Sequence, residues 1–239
     1  HCFSQLGSGS FVPGVETFLS SGMVVDPLAL ERELQTLEAK GLRDIRSRLT
    51  LDPDCPLVTP WHAWLNRMRE LARGDQAHGS CGRGLGEVLA DRLAGRSGLG
   101  VRDLLHPRLL ALIERLREEK LARMRELLAC QPDSEPLQAL LAEAMTPQVP
   151  GFLVERYRAL MASGVRLGGL EELRLRLRQG EGLICEGAQG ALLDMEQGFW
   201  PHVTPSRTTA QEAKRLLDEL GVSSPVNIGV MRAYLTRHG

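Results

Sequence analysis

Gly182-Leu-Ile-Cys-Glu-Gly-Ala-Gln-Gly-Ala-Leu-Leu-Asp194, followed by Trp200-Pro-His-Val-Thr-Pro-Ser-Arg-Thr-Thr209, is the stretch on which the reading of this chain turns. A short apolar run, Leu183 to Cys185, opens onto a glycine-bracketed glutamine, Gln189, and then onto a loop rich in hydroxyls. α/β proteins present polar groups in this way at the carboxyl ends of strands, where ligands bind. The run is therefore expected to be a strand, and the loop part of a ligand site.

Working outward, Thr209-Ala-Gln-Glu212 has the spacing of a capping box, and Ala213, Leu216, Leu217 and Leu220 follow at helical period up to Gly221. The apolar run Ile228 to Tyr234 then predicts another strand. At the other end, Met23 to Val25 is a short apolar run, Asp26-Pro27 an N-cap with proline at the first helical position, and Leu30, Leu34 and Leu37 a helical stripe that Gly41 stops. Arg43 to Leu51 alternates and reads as a strand. Trp61 to Arg73 carries Trp61, Trp64, Leu65, Met68 and Leu71 on one helical face, an aromatic stripe best explained as core.

A long helix is signalled from Arg108 to Leu128, with the charges Arg115, Arg117, Glu118, Glu119 and Lys120 read as its solvated face. Gln131 to Pro136 reads as a linker, and Leu137 to Met145 and Gly151 to Ser163 as two further helices. Leu173 to Arg178 fits either a strand or an amphipathic helix. The sum is an α/β fold: a mainly parallel central sheet flanked by helices, with an additional helical region, in a single domain over residues 1–239.

Composition sets limits on function. With 29 basic and 30 acidic residues the net charge is -1, without the basic excess of a general nucleic-acid binder. No apolar run approaches the roughly 20 residues that span a bilayer, and the amino terminus lacks a signal-peptide layout, so a soluble chain is expected. The five cysteines, Cys2, Cys55, Cys81, Cys130 and Cys185, are scattered and form no C-x-x-C pair, which fits a reducing cytoplasm and indicates neither a disulfide framework nor a zinc site. His1, His62, His78, His106, His202 and His238 never fall four apart with a second ligand. His62 and His202 are assigned to packing or hydrogen bonding.

Gly79-Ser-Cys-Gly-Arg-Gly-Leu-Gly-Glu87 is a second chemical segment. Its glycines let backbone N–H groups crowd round an anion, and Ser80 and Arg83 add a hydroxyl and a charge. It reads as a phosphate-cradling loop or as a flexible turn. It is not a Walker A motif, since no Gly-Lys-Ser/Thr follows.

These blocks, taken in order, resemble the adenylosuccinate synthetase family. The family's EGAQG-x-LLD and VT-x-S-x-TT match Glu186 to Asp194 and Val203 to Thr209, and its G-T-T-G-R-G-I-G loop matches Gly79 to Gly86. Gly7-Ser-Gly9, Val12-Pro-Gly14, Met23 to Pro27, Pro60-Trp-His62, Val101 to Leu104 and Arg232 to Arg237 match as well. The opening His1-Cys-Phe-Ser-Gln and Gly79-Ser-Cys-Gly are most similar to a divergent branch, related to phage-type synthetases that make 2-aminoadenylosuccinate from deoxyguanylate.

The resemblance implies a two-step ligation: a purine nucleoside triphosphate, GTP or ATP, phosphorylates the 6-oxygen of a purine monophosphate, IMP or dGMP, and aspartate displaces that phosphate. Mg²⁺ and a homodimer are implied with it. Residue by residue, Gln189 is implied as the catalytic amide at the purine 6-position, beside Gly190, and Ser80 and Cys81 as contacts of the acceptor 5′-phosphate. Thr204 is implied as another phosphate contact, Leu193 as packing near the base, and Arg237 and His238 as opening a loop against the nucleotide. Arg83 serves as a structural anchor or a phosphate charge.

Plainer roles stand beside these. Gln189 would satisfy a turn, Thr204 cap a loop, Cys81 act as a small buried hydrophobe, and Asp194 cap a turn rather than bind metal.

Departures from the family pattern are specific. The arginine that crosses the dimer should fall just after Asp91 to Ala94, where this chain has Gly95 and then Arg96, the candidate substitute. Arg207 replaces an asparagine, which bears on acceptor choice. The family's amino-terminal G-D-E-G-K-G loop and G-H-T segment would precede His1, and its aspartate-binding arginines and N-K-x-D motif would follow Gly239. A piece of a longer ligase is thus expected, the alternative being a catalytically incomplete nucleotide-binding or dimerisation module.

Overall fold

The computed structural model describes residues 4–96, 98–187, 189–200, 202–204 and 206–231. Its organising element is a parallel sheet of three short strands in the order β1 (Thr17–Leu19), β2 (Leu49–Leu51) and β3 (Arg166–Leu167). Thr17 pairs with Leu49 and Leu19 with Leu51, while Thr50 pairs with Arg166 and Leu51 with Leu167. All three residues of β2, the central strand, are buried. This is the α/β architecture that the alternation of elements predicts, with helices against a parallel sheet.

Helix α1 (Pro27–Ala39) crosses from β1 to β2. The Asp26 carboxylate accepts the N–H groups of Leu28 and Ala29, both at 3.0 Å, and Pro27 occupies the first helical position, where no N–H is needed. Leu30, Leu34 and Leu37 are fully buried. Between β2 and β3 the chain builds the additional helical region: α2 (Pro60–Arg73), α3 (Leu85–Leu93), α4 (Leu109–Cys130), α5 (Glu135–Ala144) and α6 (Val149–Ala162). Trp61, Trp64, Leu65 and Met68 of α2 join the core, as their spacing predicts, but Leu71, at the end of the same stripe, is 49% exposed beside a cleft; the Trp61 indole N–H donates to the Ala144 carbonyl at 2.9 Å. Helices α7 (Leu170–Arg178) and α8 (Gln211–Leu220) follow β3, so Leu173 to Arg178 resolves as helix.

Five local expectations need correction. Only Leu49–Leu51 of Arg43 to Leu51 is strand, because Arg46 and Arg48 turn the chain and spend their guanidinium groups on neighbours. Arg46 bonds Glu31 and Glu38, while Arg48 reaches the carbonyls of Ser10, Val12 and Val15. Met23 to Val25 forms only a single bridge, Val25 to Leu57. Leu183 to Cys185 forms no strand, since no neighbour offers it a ladder, and Ile184 is 91% exposed. Ile228 to Met231 is likewise irregular, with Ile228 83% exposed; the rest of that run lies outside the described residues. Lys120, assigned to a solvated face, is 1% exposed.

Helix α8 begins at Gln211 after Ala210 with no side-chain cap: the Thr209 N–H goes to Asp194, its hydroxyl has no partner among the described residues, and Glu212 is bonded to Arg215. The linker before α5 ends at Ser134 rather than Pro136, since the helix starts at Glu135.

Candidate functional site

The glycine-rich loop lies along one side of α2 and runs into α3. Gly79, Gly82 and Gly84 have φ of 72°, 66° and 82°, left-handed values that admit a side chain only with strain. Gly84 is constrained twice. A Cβ there would meet the His62 carbonyl carbon at 2.4 Å and the Ala63 nitrogen at 2.5 Å, so the end of the loop touches the first turn of α2 directly.

Side chains of α2 hold the rest of the loop. Asn66 Oδ1 accepts the Ser80 hydroxyl at 3.2 Å, Glu70 Oε2 accepts the Ser80 N–H at 3.1 Å, and Arg67 Nε donates to the Gly82 carbonyl at 3.3 Å. Among the described residues no partner takes the N–H groups of Cys81, Gly82 or Arg83. Left-handed glycines with free N–H groups ahead of a helix make the kind of concavity that receives anions. A cleft of about 540 Å³ opens beside the loop, lined by Arg67, Glu70, Ser80, Gly82, Leu140 and Glu143 among others. Cys81 is exposed rather than a small buried hydrophobe.

Helix α3 is fixed behind the loop by a buried ionic cluster. Asp91 Oδ1 accepts from Arg96 Nε at 2.9 Å and Arg123 Nη1 at 2.8 Å, while Oδ2 meets the Lys120 ammonium and lies 3.5 Å from His62 Nε2. The Thr59 N–H donates to His62 Nδ1 at 3.1 Å, which places the ring proton on Nε2, toward Asp91. Burial works to raise the Asp91 pKa, but the bonds from His62, Lys120, Arg123 and Arg96 outweigh it and hold the carboxyl far below its usual range. Burial keeps His62 neutral by lowering its pKa.

Glu87, in the first turn of α3, is 5% exposed; Arg69 reaches one oxygen at 3.2 Å, and the other has no partner among the described residues. Burial raises its pKa.

Sequence reasoning missed this cluster, although the signal was present. Ile113, Leu116, Lys120 and Met124 share one helical stripe, so Lys120 stood among core positions from the start. Arg96, the candidate for a cross-dimer contact, is here bonded to Asp91 and to the Ala90 carbonyl.

The second unit is folded around Asp194. Its carboxylate is 1% exposed and accepts four backbone N–H groups: Glu196 and Gln197 at 2.9 and 3.1 Å, Thr208 and Thr209 at 2.7 and 3.3 Å. These bonds, Glu196 and Thr208 foremost, lower its pKa, and the turn-capping reading of Asp194 holds. The Thr204 N–H donates to the Leu193 carbonyl at 2.7 Å and the Thr208 hydroxyl to the Gly190 carbonyl at 2.8 Å, so Gly190, Leu193 and Thr204 are brought together. Thr204 Oγ1 shares a hydrogen bond with Ser206 Oγ, and Leu193 is 43% exposed. Gln189 is exposed, with φ of 72°, a conformation unusual for a residue with a side chain.

Glu186 Oε2 accepts both the N–H and the hydroxyl of Ser8, at 3.0 and 2.9 Å, tying this unit to the start of the chain. No hydrogen bond or ion pair among the described residues joins it to the glycine loop. Arg237 and His238 lie outside the described residues. No group of three or more His, Cys, Asp or Glu side chains among the described residues is placed to hold a metal ion, and no helix among them is long and apolar enough to cross a membrane.

Fold and site together define an α/β protein with a loop suited to cradling phosphate. The sequence profile of the adenylosuccinate synthetase family matches residues 1–239, and the chain belongs to that family. It is 36% identical over 241 residues to an adenylosuccinate synthetase of Ectopseudomonas mendocina and 33% identical over 246 residues to one of Neisseria meningitidis serogroup C, covering 97% of this chain in each case. It spans about half the length of those relatives, 51% of each. A structure of fully ligated adenylosuccinate synthetase from Plasmodium falciparum superposes with a TM-score of 0.62 at 19% identity, over 90% of this chain and 46% of that one, a likeness of fold.

Proposed function

We infer that this chain contributes the acceptor-nucleotide side of a purine nucleotide ligase of adenylosuccinate synthetase type. The observation that carries the reading is the family match along the whole of residues 1–239, supported by the resemblance of the glycine loop and the Gln189 segment to the family's motifs. In this reading the purine monophosphate, IMP or dGMP, sets its 5′-phosphate against the glycine loop, where the free loop N–H groups donate and the Ser80 hydroxyl turns from Asn66 to join them. Phosphoryl transfer needs positioning and charge stabilisation more than covalent help, and amides of this kind supply both. Gln189 faces the purine 6-position, where a neutral amide donates or accepts without adding charge beside an incoming phosphoryl group.

Aspartate, the donor triphosphate (GTP or ATP), the homodimer and a cytoplasmic setting are part of the same proposal; the scattered cysteines support the last. Mg²⁺ belongs to it as well, but the described residues form no ligand set for it, and the Asp194 oxygens are already committed to four N–H groups.

Supplying the full protein that carries this chain with aspartate, GTP or ATP, and either IMP or deoxyguanylate should yield the succinyl adduct from one acceptor. Failure to consume aspartate with both would overturn the ligase reading and leave the nucleotide-binding module. Gln189→Leu should keep the fold and lower turnover at least about tenfold, since a lost site hydrogen bond costs ~1–3 kcal/mol; an unchanged rate would remove Gln189 from the site.

A further inference from the structure

Three positions on α2, His62, Asn66 and Glu70, stand four residues apart on one face of the helix. They meet the glycine loop in reverse order. The backbone at His62 abuts Gly84, Asn66 takes the Ser80 hydroxyl, and Glu70 takes the Ser80 N–H, with Arg67 holding the Gly82 carbonyl between them. The loop is thus laid antiparallel along the helix, with a contact at each turn.

A carboxylate beside a phosphate loop would ordinarily repel the ligand. Here Glu70 is neutralised by Arg73, and Arg67 adds a positive charge at the cleft. Although burial works the other way, the Ser80 N–H, Arg73 and the Gly79 N–H hold the Glu70 carboxyl below its usual range, so it stays an acceptor at neutral pH.

We propose that Glu70 and Asn66 are positioning residues that act through Ser80, shaping the glycine loop into its phosphate-binding form. The role rests on the acceptor reading given above. Glu70 engages the N–H groups of Gly79 and Ser80, so that the following ones, at Cys81, Gly82 and Arg83, remain free to face a phosphate. Asn66 holds the Ser80 hydroxyl in place, and its proton turns from Asn66 Oδ1 to the ligand when a phosphate arrives.

The test uses the full chain, with inosine monophosphate titrated by calorimetry and amide exchange read at Ser80 and Gly82. Glu70→Ala and Asn66→Ala should each bind at least tenfold more weakly with an unchanged melting temperature, and Ser80 exchange should accelerate at least tenfold in Glu70→Ala. Glu70→Gln keeps an acceptor oxygen and should restore both. Equal binding by the wild type, Glu70→Ala and Asn66→Ala, or unaccelerated exchange in Glu70→Ala, would overturn the positioning role while leaving the acceptor reading intact. Should Glu70→Ala fail to fold, Asn66→Ala decides the matter alone. A wild-type chain that binds no nucleotide would overturn the acceptor reading and this role with it.

Discussion

Asp91 shows how much one side chain can organise. It accepts from two guanidinium groups, meets one ammonium and faces one imidazole, and both Asp91 and Lys120 are nearly sealed from water. Burying charges is costly, and the cost is offset only while every member keeps its partners. Asp91→Asn removes the one anion that Lys120, Arg96 and Arg123 share, leaving the buried ammonium with only Glu119 at 3.7 Å, and should destabilise by about 3–5 kcal/mol in denaturant titration. Lys120→Met leaves Asp91 with both arginines and replaces a buried ammonium by an apolar chain of similar length, so its cost should be clearly smaller. If Lys120→Met proves the worse of the two, Asp91 is not the centre of the cluster.

At the scale of elements, the glycine loop is held by α2 at one end and by α3 at the other, and Gly84 is where they meet. Gly79 and Gly84 share a left-handed φ, but only Gly84 has backbone in the path of a Cβ. Gly79→Ala should therefore cost only the conformational penalty, ~1–2 kcal/mol. Gly84→Ala should cost more, because the loop or α2 must move. Equal melting temperatures for the two variants would contradict the contact between Gly84 and His62.

The same elements show what was legible beforehand. Local signals worked where local chemistry decides: Asp26-Pro27 opens α1, the Trp61 to Met68 stripe is core, and Gly221 ends α8 with φ of 80°. They failed where neighbours decide. Leu183 to Cys185 and Ile228 to Met231 have strand composition, yet a strand exists only with a partner to pair with. The candidate site was half readable for the same reason. Gly79 to Gly86 and Gln189 announce themselves by residue type, whereas Asn66, Glu70 and Asp91 matter through contacts between segments, and the spacing that puts Lys120 on a core stripe does not name its partner.

Over the whole molecule, buried titratable groups of opposite tendency should shape the acid limb of stability. His62 has a lowered pKa in the folded chain, so its contribution is present above its ordinary value near ~6.5 and lost as pH falls below it. Asp91 and Asp194 are also lowered, and their contributions are present above the usual aspartate value of ~3.9 and lost on further acidification. Glu87 runs the other way. Its raised pKa means that the folded chain takes up a proton more readily than the unfolded one, so its term favours folding below the usual glutamate value of ~4.3 and is lost as pH rises through the raised folded value.

Stability should therefore fall as pH drops below ~6.5, where the His62 contribution is lost and Glu87 opposes that loss, and more steeply below ~3.9, where the aspartates dominate. Glu87→Gln removes the opposing term, so the decline between ~6.5 and ~4.3 should become steeper in urea melts even if the variant is the more stable at pH 7. Asp91→Asn should flatten the limb below pH 4. An acid limb identical in Glu87→Gln and the wild type would mean that Glu87 is solvated and that the interior behind the glycine loop is wetter than its burial implies.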